Sequence, residues 1–340
     1  MKKLLYLALL LSVVISCFAS GAGAYTQNGV IYEDCGDHCE VSGCSPSLSG
    51  AVTIPPSVSF GGKALPVTVI CAFAFENNGT ITKIVMPDSV TRINDSAFSC
   101  CTSLKTVTFS KSLTDVGEDA FLGCSALTSA SLPDGVKNVG KRAFAQCGSL
   151  TSAVIPEGVS LLCDGTFADC AALLSVKLPS TLRTVGAYAF SGCAKLKSLI
   201  VPDGVIYVKD SAFRGCAALE SAVLPESLVS LGDSVFYGCD GLNTVYYKGT
   251  AESWERLFSK KAGLSDGVSL ICDYSGAVKG DCNGDGEINN KDIVVLFRYV
   301  SLGVSAVNNE AFDFNADGVT DNKDVVALFR YVSSTNKKEI

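Results

Sequence analysis

Two twelve-residue stretches near the C-terminus place oxygen-bearing side chains at the spacing that wraps a hard cation. The first runs Asp281-Cys-Asn283-Gly-Asp285-Gly286-Glu287-Ile-Asn289-Asn-Lys-Asp292. The second, 32 residues on, runs Asp313-Phe-Asn315-Ala-Asp317-Gly318-Val319-Thr-Asp321-Asn-Lys-Asp324. Oxygens at loop positions 1, 3, 5, 9 and 12, with glycine at position 6 for the sharp turn, are the donor set that a large, flexible cation such as calcium takes. Each loop leads into nearly the same apolar run, Ile293 to Val300 and Val325 to Val332, both closing on Leu-Phe-Arg-Tyr-Val. The pattern therefore predicts two calcium ions, each held at the start of a helix.

Little else in the chain points to catalysis. His38 is the single histidine, so a nucleophile has only one possible imidazole base. Glu118, Asp119, Asp134 and Glu157 are scattered at turn positions and do not read as a facing acid–base pair. A formal charge of −7 argues against nucleic acid, which needs a basic stripe. Met1-Lys2-Lys3 and the apolar run Leu4 to Val14 read as an export signal cut after Ala22-Gly23-Ala24. The competing reading lipidates Cys17. No later apolar run is long enough to span a bilayer.

The elements that must carry these loops are set by a 23-residue period. Phenylalanine recurs at 75, 98, 121, 144, 167, 190, 213 and 236, and leucine at 104, 127, 150, 173, 196, 219 and 242. Cysteine recurs at 101, 124, 147, 170, 193, 216 and 239. In one unit, Leu150-Thr-Ser-Ala-Val-Ile155 alternates as a short strand and Pro156 ends it, having no N–H for a ladder. Gly140 is expected to permit a tight turn, and Arg142-Ala-Phe-Ala to make one helical turn that drives Phe144 inward, so that each coil is a short strand plus turn or helical turn. No coil can bury its edges alone, so the array must fold as a stack. The sixteen cysteines suggest disulfides. A column with one cysteine per coil is more simply a buried small hydrophobe with parallel side chains, so free thiols are expected there.

These motifs resemble the BspA-type leucine-rich repeat, with its strand ending in proline followed by Ile/Val-Gly-x-x-Ala-Phe-x-x-Cys. Cys71, Cys163 and Lys209 depart from the turn glycine, and Asn78 from the first ladder cysteine. The calcium unit resembles a dockerin, the module that plugs proteins into cohesins on a scaffoldin. Aspartate at position 12 and the short Gly-rich Tyr274 to Gly280 before the first loop separate it from an ordinary EF-hand. That resemblance implies one calcium on Asp281, Asn283, Asp285, Asn289 and Asp292 with the Glu287 carbonyl. It implies a second on Asp313, Asn315, Asp317, Asp321 and Asp324 with the Val319 carbonyl. The cohesin would be read by Asn290, Lys291 and Arg298, and equally by Asn322, Lys323 and Arg330.

The expected organisation is a signal peptide (1–24), an N-terminal cap (25–66), leucine-rich repeats (67–245), a C-terminal cap (246–275) and an all-α dockerin (276–340). The expected function is a secreted, non-catalytic binding or adhesion protein in a cell-surface cellulosome-type complex for polysaccharide catabolism. Its repeat surface would take an unknown protein or glycan. The alternatives are a structural spacer, or an enzyme or inhibitor with unrecognised chemistry. Three strand columns could carry binding. The first, Thr106, Ser129, Ser152, Ser175, Ser198, Ser221 and Thr244, carries hydroxyls. The second is Lys105, Thr128, Thr151, Leu174, Lys197, Glu220 and Asn243. The third is Thr108, Ser131, Val154, Lys177, Ile200, Val223 and Tyr246. Thr250 is placed as the cap of a short helix that lays Trp254, Leu257 and Phe258 over the last coil. In the N-terminal cap, Cys35-x2-His38-Cys39-x4-Cys44 matches no standard zinc spacing. A local disulfide or simple cap packing is favoured there over zinc.

Overall fold

The computed structural model describes residues 23–257, 262–272, 274, 282, 290–302 and 320–335. Residues 75 to 247 wind into the expected solenoid, each coil contributing a strand to two parallel ladders. One ladder holds the strands Ile81–Val85, Thr106–Thr108, Ser129–Ser131, Ser152–Val154, Ser175–Lys177, Ser198–Ile200, Ser221–Leu224 and Thr244–Tyr247, with its pairing interrupted after Thr106–Thr108 and after Ser175–Lys177. The other holds two-residue strands such as Arg92–Ile93, Asp115–Val116 and Asn138–Val139. Register advances by one repeat per coil: Ser129 faces Ser152, which faces Ser175, and Asp115 faces Asn138.

The segment around each phenylalanine is a turn rather than the helical turn expected at Arg142-Ala-Phe-Ala, because its backbone alternates in hand. Two left-handed residues bracket the ring: Asp119 and Gly123 around Phe121, Arg142 and Gln146 around Phe144, Tyr188 and Gly192 around Phe190. That alternation aims every second N–H at the following coil. Ser96, Phe98 and Cys100 donate to the carbonyls of Glu118, Ala120 and Leu122 at 2.7–2.8 Å. The intervening amides close short turns within the coil, so few backbone donors are left for water to satisfy.

Inside, the rings form one column. Phe75 through Phe236 stack with centroids 5.0–5.8 Å apart and planes within 2–18° of parallel. All eight are buried. The seven column cysteines are buried free thiols, each donating to a phenylalanine carbonyl in the preceding coil, as Cys170 Sγ does to Phe144 at 3.1 Å. Burial pushes the Cys170 thiol up to about 12 and raises Cys147 and Cys193 well above the usual thiol value. These three are therefore protonated donors.

Gly140 has a different reason from the one expected. Its backbone is not left-handed; a Cβ there would stand 2.5 Å from Glu118 N and Gly117 C of the coil below. Gly117, Gly186 and Gly232 meet the preceding coil in the same way, so glycine here permits close stacking of main chains. Nothing in the structure explains how Cys163 and Lys209 fit the same column. Gly140→Ala should cost about 1–3 kcal/mol, the range for overpacking, measured as a lower urea midpoint at unchanged m-value.

Both ends are covered. Strands Ala24–Gln27, Val30–Asp34 and Cys39–Cys44 form an antiparallel cap. Its last strand pairs with Lys63–Ile70, which starts the short-strand ladder. Gly50–Thr53 closes the other ladder against Ile81–Val85. Asn78, standing where later coils have cysteine, binds the cap instead: its amide donates to Leu48 O at 3.0 Å and its carbonyl accepts from Ile81 N. At the far end Ser269–Ile271 pairs with Thr244–Tyr247. Helix α1 (Ala251–Leu257) is capped by Thr250 Oγ1, which accepts from Ser253 N at 3.1 Å. Trp254 is buried against Tyr247 as a lid; Phe258 lies outside the described residues.

Candidate functional site

The C-terminal module appears as two helices, α2 (Asn290–Leu302) and α3 (Asn322–Thr335), packed through Leu296, Leu328 and Val332 with Cys282. Each begins at the end of one loop. Asp292 and Asp324, the position-12 residues, are the third residues of the two helices and are both fully buried. At α3 the loop and the helix brace one another. Asp321 Oδ1 accepts from Lys323 N at 2.7 Å, and Asp324 Oδ2 accepts from Asp321 N at 2.8 Å. That reciprocal pair is a capping box built from two expected ligands.

An ionised carboxylate removed from water must be compensated by hydrogen bonds or a cation. Two buried aspartates, each closing a sequence of oxygen donors, fit calcium. Asp292, Asp321 and Asp324 would hold it from the described side. Asp281, Asn283, Asp285, Glu287, Asn289, Asp313, Asn315, Asp317 and Val319 lie outside the described residues.

Of the expected partner-reading residues, Lys291, Asn322, Lys323 and Arg330 are exposed. Lys323 Nζ lies 3.5 Å from Asp321 Oδ2, which draws it toward the loop. Asn290 and Arg298 sit on α2. The sequence reading missed the apolar part of this surface. Val294 and Phe297 on α2, and Val326 and Phe329 on α3, are about half exposed, Phe297 at 53% and Phe329 at 56%. They stand one helical turn along from Asn290–Lys291 and Asn322–Lys323. The signal was present: these helices are apolar nearly all round, more than so small a core can bury.

On the solenoid, the column from Lys105 to Asn243 is exposed throughout. Thr128 and Thr151 there turn their hydroxyls back to the carbonyls of the preceding coil, at 3.2 and 3.1 Å. The hydroxyl column from Thr106 to Thr244 changes from exposed to half-buried along the stack. The third column is open only in part. Val223 and Tyr246 are buried, and Tyr246 packs on Tyr274 at 4.7 Å, so the C-terminal cap covers that end. A polar recess absent from the sequence reading lies over the short-strand ladder. Arg92, Asp95, Asp115, Asn138 and Leu161 line it, and Asn138 Nδ2 donates to Asp115 Oδ1 at 2.6 Å. Among the described residues, no helix is long and apolar enough to cross a membrane.

The chain matches the BspA type leucine rich repeat region in six copies across residues 68–176 and 137–265, and the dockerin type I domain across residues 279–333. Among curated proteins, none matches the chain. A leucine-rich repeat protein from Bacteroides ovatus is similar at 26% identity, covering 74% of this chain and 79% of its own, with a TM-score of 0.39. The T. pallidum leucine rich repeat protein is similar at 24% identity, covering 72% of this chain and 100% of its own, with a TM-score of 0.51. The latter likeness bears on the fold alone.

Proposed function

Because the chain belongs to the BspA-type leucine-rich repeat proteins and carries a type I dockerin domain, we propose that it is an exported, non-catalytic recognition arm fixed to a cohesin of a cellulosome-type assembly. Dockerin type I domains bind calcium and imply a cohesin partner. The proposal adds the residues and the geometry. Asp281, Asn283, Asp285, Asn289 and Asp292 with the Glu287 carbonyl hold one ion. Asp313, Asn315, Asp317, Asp321 and Asp324 with the Val319 carbonyl hold the other. Calcium supplies the charge that lets each loop close onto its helix.

The observation that carries the reading is the duplicated surface: Asn-Lys, then an exposed valine and phenylalanine, then arginine, on each of two helices. Exposed apolar side chains beside cations are what a partner's interface buries. Because the two copies match, either helix meets the cohesin after a half-turn of the module. Calorimetry against a cohesin panel, with and without chelator, tests this; binding that ignores chelation would refute it. Lys291→Ala with Arg298→Ala should leave Kd within about threefold. Adding Lys323→Ala and Arg330→Ala should raise it by more than about 100-fold. A large loss from the first pair alone would end the two-sided reading.

For the solenoid, the exposed and variable column from Lys105 to Asn243 is the proposed contact with a protein ligand, as stacked repeats vary exposed positions over a fixed core. A glycan is the second reading, favoured by the polar recess around Asp115 and Asn138.

A further inference from the structure

The N-terminal cap brings together three metal-binding side chains that the sequence pattern did not group. Cys35 and His38 stand at the ends of the hairpin turn between Val30–Asp34 and Cys39–Cys44, and Glu40 follows on the second strand. Cys35 Sγ, a His38 ring nitrogen and a Glu40 carboxylate oxygen all lie within 4.8 Å of one another. The two other cysteines of the pattern leave the group. Cys39 is buried and donates to Leu65 O, and Cys44 accepts from Asn78. This is why spacing alone fitted no zinc site: two of its cysteines face elsewhere, and the third donor is a glutamate.

We propose that Cys35, His38 and Glu40 form a zinc site with an open fourth position. The donors suit a borderline-soft, tetrahedral ion: one thiolate, one imidazole and one carboxylate. His38 Nε2 stands 3.5 Å from Glu40 Oε1. Metal–ligand bonds of about 2.0–2.1 Å place tetrahedral nitrogen and oxygen ligands about 3.3 Å apart. Asp37 takes the other ring nitrogen, Nδ1, at 2.5 Å. With Nδ1 donating to Asp37, Nε2 would be the nitrogen that meets the ion beside Glu40, the carboxylate–histidine arrangement that orients metal-binding imidazoles.

The turn is also held in place. Gly36 is left-handed, its N–H donates to Asp34 Oδ1 at 2.7 Å, and Lys63 Nζ donates to its carbonyl at 2.6 Å. Cys71 stands beside the group, its thiol donating to Glu40 Oε2 at 3.0 Å. It reaches the site through that carboxylate rather than as one of the three donors.

The test uses the full chain, reduced and with calcium in excess so that the C-terminal loops are saturated. Cobalt(II) titration should give one equivalent of tetrahedral visible absorption with a thiolate charge-transfer band, displaced by equimolar zinc. Cys35→Ser should remove the charge-transfer band. His38→Gln should weaken zinc at least about 100-fold, and Asp37→Ala about 10–100-fold, the range for lost outer-shell partners. Cys71→Ser should keep the band. A band that survives both Cys35→Ser and His38→Gln, or no stoichiometric binding, overturns the site. So does a Cys35–Cys71 disulfide found by mass spectrometry in the secreted protein. Circular dichroism of each variant separates these outcomes from misfolding.

Discussion

Replacing Asp292 and Asp324 together with alanine should abolish calcium-dependent cohesin binding, raising Kd by more than about 1,000-fold, near 4 kcal/mol. Each aspartate closes a loop and sits inside the first turn of its helix, fully buried. At α3, Asp324 also holds the Asp321 amide, so its loss removes a proposed calcium ligand and a helix cap in one step. Asp324→Asn separates the two: an amide oxygen can still accept from Asp321 N, while the charge that compensates calcium is gone. Calorimetry should then show one calcium lost with α3 still formed, and cohesin still held through α2. The repeat array has its own core cluster, distinct from that of the two helices. Its melting should not change in any of these variants. Retained cohesin affinity in the double alanine variant would show that the loops do not organise the binding face.

Phe144→Ala should destabilise the solenoid by about 3–5 kcal/mol, the range for large aromatic truncations in packed cores. The ring lies between Phe121 at 5.2 Å and Phe167 at 5.6 Å, with planes 2° and 9° from parallel. Its removal opens a gap in a column where each ring packs on two others. Stability in a stacked array is a sum of coil and neighbour terms, so one weak interface can divide one cooperative transition into two. Urea unfolding should show a lower midpoint and either a reduced m-value or a second phase. Phe236→Ala should cost less, because among the described residues that ring has a stacked neighbour on one side only, at 5.8 Å and 18°. A cost below about 1 kcal/mol at Phe144 would mean that the ladders, not the rings, couple the coils.

The columns were legible because the period samples each position many times. A phenylalanine every 23 residues has one structural meaning, and both ladders follow from it. The backbone between the ladders was not legible. Its left-handed positions carry Arg142, Tyr188 and Ser211, residue types that advertise no such conformation. Glycine was read as turn freedom at Gly140, where the constraint is the chain of the coil below. In the N-terminal cap, strand register decides which cysteines face His38, and register is invisible in spacing. On the terminal helices, apolar runs signal a core, and only the small bundle around Leu296 and Leu328 shows that Phe297 and Phe329 are left outside it.

The thiol column has a consequence for how long the rod lasts. Buried in the core, these sulfurs are chemically silent, because oxidation and exchange need an accessible thiolate. Opening the coils removes that protection, and sulfurs that lay in parallel in separate coils become free to meet. Outside a cell, cross-links between them would block return to the stack. Durability is then set by how rarely the rod opens, since in an oxidising medium each opening is a one-way event.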